Sequence, residues 1–162
     1  MRRVVVNSSP LIALCGIGKL DLLRKIYGEI AIPAAVYEEI SAKHNSICKR
    51  NIDNSSTWIH VCQIQNNLAK KLFKARLHAG EVEAMILAQE QNADLLIIDD
   101  ALAKKHAVYL GINVTGTLGV LIKARQIDLI DKLEPLLRQL QRNNIYISEG
   151  LVTYCLQKVG EC

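Results

Sequence analysis

The sequence predicts an α/β fold in which a central, mainly parallel sheet is wrapped by helices. Two observations carry that expectation. Short β-branched runs alternate with longer segments of helical apolar spacing along most of the chain. In addition, Leu95-Leu96-Ile97-Ile98 shows no polar alternation, the pattern of a parallel strand buried on both faces. Strand–helix–strand order of this kind requires crossover connections over a parallel sheet.

The elements follow in order. Arg3-Val4-Val5-Val6 reads as a short buried strand, and Pro10 suits the first turn of the next helix, with Ser8 or Ser9 as its cap. Glu29-Ile30-Ala31-Ile32 is a second strand, with Pro33 opening the helix that carries Val36, Glu39 and Ile40. Residues 41–57 are polar and nearly aperiodic, and predict a mobile loop. Trp58-Ile59-His60-Val61 alternates weakly, as an edge strand does. Residues 66–73 look helical, and Glu81 to Gln91 forms an amphipathic helix with Ala84, Met85, Leu87 and Ala88 inward. Asp99-Asp100 starts a helix that runs through Val108 and stops at Gly111, and Ile112-Asn113-Val114 is the last strand. Helices fill most of 117–142 and 149–159. No repeat and no linker divides the chain, so one domain over 1–162 is expected.

Composition narrows the function. A chain of 162 residues that is 50% hydrophobic and 22% charged can build one sizeable core, which excludes a disordered or collagen-like chain. No apolar run approaches the roughly 18 residues that a membrane helix needs, and a cytoplasmic location is expected. The five cysteines form no Cys-x-x-Cys pair and read as reduced thiols, with Cys15 and Cys62 at core positions. No phosphate-binding glycine loop follows a strand, which argues against nucleoside triphosphates and dinucleotides. "CGIGK" reads as a turn between helices, and "TGTLG" as a helix cap or a weak anion nest.

In a parallel sheet wound this way ligands bind beyond the carboxyl ends of the strands. The polar residues there are Asn7 and Ser9 after the first strand, Glu38 and Glu39 on the helix after the second, Glu81 and Glu83 opening "HAGEVEA", and Asp99 and Asp100 after the non-alternating strand. Each has a structural explanation: turn residues, helix caps, a carboxylate at a positive helix end, or a solvated face. Together they make a rim of oxygen ligands without His or Cys, suited to a hard divalent cation, Mg²⁺ or Mn²⁺. Phosphodiester hydrolysis is the chemistry such a rim serves.

"VVVNSSPLIAL", "IPAAVYEEI", "LHAGEVEAMILAQE" and "ADLLIIDDALAKKHA" resemble, in order, the motif blocks of the PIN domain family. "TGTLGVLIKARQ" is similar to a bacterial and archaeal branch near the toxin–antitoxin ribonucleases. The resemblance covers residues 3–126, with C-terminal helices over about 131–160. It implies a Rossmann-like three-layer sandwich, metal-dependent endoribonuclease activity, a homodimer and a small antitoxin partner. Carried onto this chain, the family's acidic positions fall on Asn7, Glu39, Glu81 and Asp99. Those four would hold the metal, with Glu39, Glu81, Asp99 and Asp100 catalytic and Ser9, Glu38 and Glu83 in support. The departure is Asn7, where most members have Asp; an amide oxygen coordinates a metal without bringing charge, so weaker metal binding is expected. An RNA- or protein-binding module with feeble or no catalysis is the alternative that Asn7 favours.

Lys70, Lys71, Lys74 and Arg76 stand in a stretch without acids, and Lys104 and Lys105 lie just past the fourth block. They read either as solvated helix faces or as contacts to an RNA backbone. One Phe, one Trp and five Tyr leave little for stacking bases on several rings.

Overall fold

The computed structural model describes residues 2–42, 46–67 and 78–162. Five strands, β1 (Val4–Val6), β2 (Ile30–Pro33), β3 (Ile59–Cys62), β4 (Leu95–Ile97) and β5 (Val114–Thr115), form one sheet in the order β3-β2-β1-β4-β5. Every pairing is parallel, with Val5 opposite Ala31 and Val4, Val5 and Val6 opposite Leu95, Leu96 and Ile97. The helices among the described residues are α1 (Ser8–Gly16), α2 (Asp21–Tyr27), α3 (Ala34–Ala42), α4 (Ser46–Asp53), α5 (Ala79–Glu90), α6 (Ala101–Tyr109), α7 (Thr117–Gln126), α8 (Glu134–Arg142) and α9 (Glu149–Lys158). None is long and apolar enough to cross a membrane.

The period-2 alternation of strand side chains divides the interior into two cores. Val4, Val6, Ile30, Ile32, Leu95 and Ile97 point into the larger core, which α1 to α4 and α7 to α9 close. Val5, Ala31, Leu96 and Ile98 point the other way, against α5 and α6. The sheet is therefore covered on both faces, and this explains why β1, β2 and β4 read as unbroken apolar runs.

Helix ends share one device. α1, α5, α6, α7, α8 and α9 each stop in paired 6→1 and 5→2 backbone bonds, such as Lys19 N to Leu14 O at 2.8 Å with Gly18 N to Cys15 O at 3.1 Å. The left-handed residue is Gly18 after α1 and Gly111 after α6, but Asn92, Asp128 and Asn144 after α5, α7 and α8. "CGIGK" is thus the turn between α1 and α2, as its glycines predict.

Four expectations need correction. The loop expected over 41–57 contains α4, a helix whose Cys48 and Ile52 are buried four residues apart within a polar sequence. The last strand begins at Val114 rather than Ile112, because Ile112 N still closes the end of α6 on Ala107 O at 2.9 Å. The first helix begins at Ser8, so Asn7 occupies the cap position expected for Ser8 or Ser9. No disulfide joins the five cysteines; Cys15 is buried, whereas Cys62, expected in the core, is half-buried at the end of edge strand β3.

Candidate active site

β1 and β4 are adjacent, and the connection from β1 runs toward β2 while that from β4 runs the other way, toward β5; the crevice of a doubly wound sheet opens at such a point. Asn7 lies there. Its backbone N–H donates to Ile97 O at 2.9 Å, which extends the β1–β4 ladder by one bond. Its side chain is 2% exposed and makes no capping bond to α1. Asn7 Oδ1 is a buried acceptor without a hydrogen-bond partner among the described residues. Such an atom costs about 1–3 kcal/mol unless something else satisfies it.

Glu39 approaches from α3. The Ser8 hydroxyl, buried at the start of α1, donates to Glu39 Oε2. The third side of this pocket is the first turn of α5, and its backbone comes close because residue 80 is glycine. A Cβ on Gly80 would lie 3.3 Å from Glu39 Oε1 and 3.6 Å from Asn7 Oδ1. Glycine therefore leaves open the space between the amide and the carboxylate.

α5 is buried from Gly80 to Ala88, more completely than an amphipathic pattern predicts, and Glu81 and Glu83 are buried with it. Both face backbone donors. Glu81 Oε1 accepts from His78 N at 3.0 Å, closing the first turn of its own helix. Glu83 Oε1 accepts from Ala35 N at 3.3 Å, at the exposed donor end of α3.

Asp99, just beyond β4, is held by the start of α7. Thr117 N donates to Oδ1 at 2.7 Å and Thr117 Oγ1 to Oδ2 at 2.6 Å. A carboxylate at a helix N-terminus is electrostatically favourable, and "TGTLG" thus holds an anion of its own chain. A Cβ on Gly116 would stand 2.6 Å from Asp99 Oδ1 and 2.9 Å from Lys104 Nζ, so the carboxylate and the ammonium share the space above that glycine. Asp100 is exposed and caps α6, accepting from Ala103 N at 2.9 Å.

The predicted residues thus separate. Asn7, Glu39 and the first turn of α5 with Glu81 meet at Gly80, while Asp99 stands with Lys104 at Gly116. Glu38 is exposed, whereas Glu39 is the residue of that pair turned to Asn7. Ser9 is exposed and lines a cavity beside Asp99; the hydroxyl on Glu39 is that of Ser8. Lys105 is exposed on α6, and Lys70, Lys71, Lys74 and Arg76 lie outside the described residues. Sequence reasoning missed Ser8 as the partner of Glu39 and missed Gly80, and it reached Gly116 and Thr117 only within "TGTLG", as a helix cap or weak anion nest. What Gly80 accommodates comes from other elements and leaves no local signal.

Among the described residues no three His, Cys, Asp or Glu side chains are gathered tightly enough to hold a metal ion. Asn7 is a neutral oxygen donor and lies outside those residue types. The donor chemistry nevertheless fits a hard divalent cation. Asn7 Oδ1 is an unsatisfied buried oxygen, Glu39 lies across the same gap, and no softer ligand competes.

The PIN domain profile matches residues 3–161. This chain belongs to the PIN domain family. Members are generally nucleases that use divalent metals, so the acidic rim stands in a nuclease family. Among solved structures the chain is similar to a PilT N-terminus domain protein of the hyperthermophilic archaeon Sulfolobus solfataricus P2, with a TM-score of 0.58 and 20% identity over 75% of this chain and 92% of that one. That likeness bears on the fold, which is the expected PIN-like α/β architecture. No curated protein matches the chain.

Proposed function

We propose that this PIN domain is a Mg²⁺- or Mn²⁺-dependent endoribonuclease, the toxin of a toxin–antitoxin pair acting in the cytoplasm. The observation that carries the reading is the buried, unpartnered Oδ1 of Asn7 facing Glu39 across Gly80 at the sheet's switch point. Asn7 and Glu39 would be the ion's first ligands at the Gly80 gap, and Glu81 and Asp99, which do not stand in one group with Glu39, would complete the rim on the family resemblance. When bound, the ion lowers the pKa of a coordinated water and neutralises charge developing on the phosphate oxygens. The protein's own part is positional. Ser8 fixes the Glu39 carboxylate, Thr117 fixes that of Asp99, and Lys104 offers a cation to a phosphate passing Asp99. A homodimer and a small antitoxin partner belong to the same reading and rest on the family resemblance.

A second reading, an RNA- or protein-binding module without catalysis, is favoured by one residue. Asn7 removes a negative charge from the metal centre, and loss of charge lowers affinity for a divalent cation.

The deciding experiment is cleavage of a mixed RNA pool by the purified chain with Mn²⁺, with EDTA, and with Glu39→Gln and Asp99→Asn in place of the wild type. Metal-dependent cleavage that both variants lose establishes the nuclease. A folded wild type that binds RNA in a salt-sensitive way and never cleaves it establishes the binding module.

A further inference from the structure

Beside Asp99 lies a cavity of about 500 Å³ that metal-dependent hydrolysis does not by itself require. Its size falls within the roughly 300–1,000 Å³ of small-molecule sites. One end is polar, made by Ser9, Asp99, Thr117 and Lys104. The rest is aliphatic: Ile12 and Ala13 from α1, Leu118 from α7, Leu140 from α8, and Ile147 and Leu151 from the C-terminal part of the chain. Tyr146 also lines it and is 90% exposed, a ring held out at the mouth.

The lining specifies its occupant. The aliphatic walls take an apolar body, and an exposed phenol ring beside them is a stacking surface for a planar one. The polar end carries both signs, the Asp99 carboxylate held at both oxygens by Thr117 and the Lys104 ammonium beside it, which a phosphate can contact. Lys104 Nζ stands there without an ion-pair partner among the described residues, next to the N-terminus of α7. A wholly apolar metabolite makes no use of that ammonium, and a fully anionic one leaves the aliphatic walls uncovered. A nucleotide supplies both parts, a base for the walls and a phosphate for the ammonium. Because Asp99 belongs to both the cavity and the candidate metal centre, a base seated here brings its own phosphate to the place where hydrolysis is proposed.

We infer that this cavity is a nucleobase subsite, which seats one unstacked base of the RNA strand next to the scissile phosphate while Lys104 contacts the phosphate. The inference rests on the nuclease reading for its place in catalysis, and on the cavity alone for binding. It also gives selectivity to a chain poor in aromatic residues, since a single ring and aliphatic walls suffice for one base.

The test uses two variants outside the acidic rim. Leu151→Trp fills the cavity from a position that is 40% exposed, and Tyr146→Ala removes the exposed ring. Binding of 5′-mononucleotides is followed by NMR in EDTA, and RNA cleavage with Mn²⁺ is followed by mapping the cut sites. Wild type binds a mononucleotide saturably, and each variant weakens binding about tenfold. In cleavage, KM rises by a similar factor, kcat holds, and the preference for the base at the cut is lost. Wild-type cleavage with unchanged KM and cut sites in both variants overturns the subsite and leaves the nuclease standing. Absence of any wild-type cleavage overturns the nuclease. Mononucleotide binding then decides the cavity alone: loss in Leu151→Trp supports it, and no binding by wild type overturns it.

Discussion

Thr117 grips Asp99 at both carboxylate oxygens, with its backbone N–H on Oδ1 at 2.7 Å and its hydroxyl on Oδ2 at 2.6 Å. One residue at the start of α7 thereby fixes both the position and the rotation of an acid that belongs to the end of β4. The carboxylate is aimed before any ligand arrives, which is the condition for a precise metal or phosphate site.

Thr117→Val tests that grip. The backbone bond to Oδ1 remains and the hydroxyl bond to Oδ2 is lost, so Asp99 gains freedom to rotate. Loss of a group that orients a metal ligand typically costs about 10–100-fold in metal affinity or activity. Thr117→Ser, which keeps the hydroxyl, should restore most of it. Mn²⁺ titration and RNA cleavage of the three proteins check the expectation; equal affinity in the Val variant would remove Thr117 from the site.

Gly80→Ala separates stability from function. Gly80 is in the first turn of α5, where Ala's helix advantage is at most about 1 kcal/mol and is set against close contacts with Glu39 and Val36, so the thermal midpoint should change little. The added Cβ, however, would stand 3.3 Å from Glu39 Oε1 and 3.6 Å from Asn7 Oδ1, inside the gap proposed for the ion. Misplacement of this kind costs up to about 100-fold in rate. A stable variant with weak Mn²⁺ binding is the expected result. One with undiminished binding would place the ion elsewhere.

Much of this arrangement was legible in the residues, and the parts that were not share a cause. β1 and β4 could be read because burial on both faces leaves an apolar run with no alternation. Glu39 could be preferred to Glu38 only by resemblance, and the fold supplies the physical reason: Glu39 is the one turned to Asn7, while Glu38 is exposed. α4 was hidden because a helix needs only Cys48 and Ile52 on its inner face when other elements complete the core. Glu83 read as a support for the site, yet its carboxylate meets Ala35 N at the start of α3, a contact made between elements far apart in sequence. The same holds for Gly116, whose need for a missing side chain arises from Asp99 and Lys104. Local pattern carries local structure, and convergence of distant elements has no local pattern.

Glu161 gives a prediction about acid stability. Its carboxylate accepts from Leu133 N at 2.6 Å, Glu134 N at 3.1 Å and Arg125 Nε at 3.1 Å, tying the chain end to α7 and to the start of α8. Burial pushes this carboxyl up, but the two backbone N–H groups and the Arg125 guanidinium outweigh it and hold it below the usual range. A folded value below the unfolded one stabilises the protein above the ordinary carboxylate value of about 4.3, and that contribution is lost as pH falls through the folded value. Glu161→Gln should be less stable than wild type by roughly 1–3 kcal/mol at pH 7. It should also lose less on acidification from about pH 5 to pH 2. Urea unfolding of both proteins across that range measures the difference, and parallel pH profiles would count against the linkage.

Asn7→Asp is the substitution that bears most directly on catalysis. Without metal it places a second carboxylate in a position 2% exposed and across the Gly80 gap from Glu39. Burying that charge should cost roughly 2–4 kcal/mol, read as a lower thermal midpoint in EDTA. With Mn²⁺ the sign reverses. Opposite charges at about 4 Å attract by about 4 kcal/mol per unit charge pair at an effective dielectric constant near 20, so affinity should rise at least tenfold. The metal-induced gain in thermal midpoint should therefore be larger in Asn7→Asp than in wild type, because ligand binding stabilises the folded state by an amount that grows with the logarithm of affinity. Cleavage should rise with it where metal occupancy limits the rate. Isothermal titration with Mn²⁺, paired with melting curves in EDTA and in Mn²⁺, reads all of these effects. A variant that is destabilised in EDTA and not recovered by Mn²⁺ would mean that the Asn7 pocket does not receive the ion.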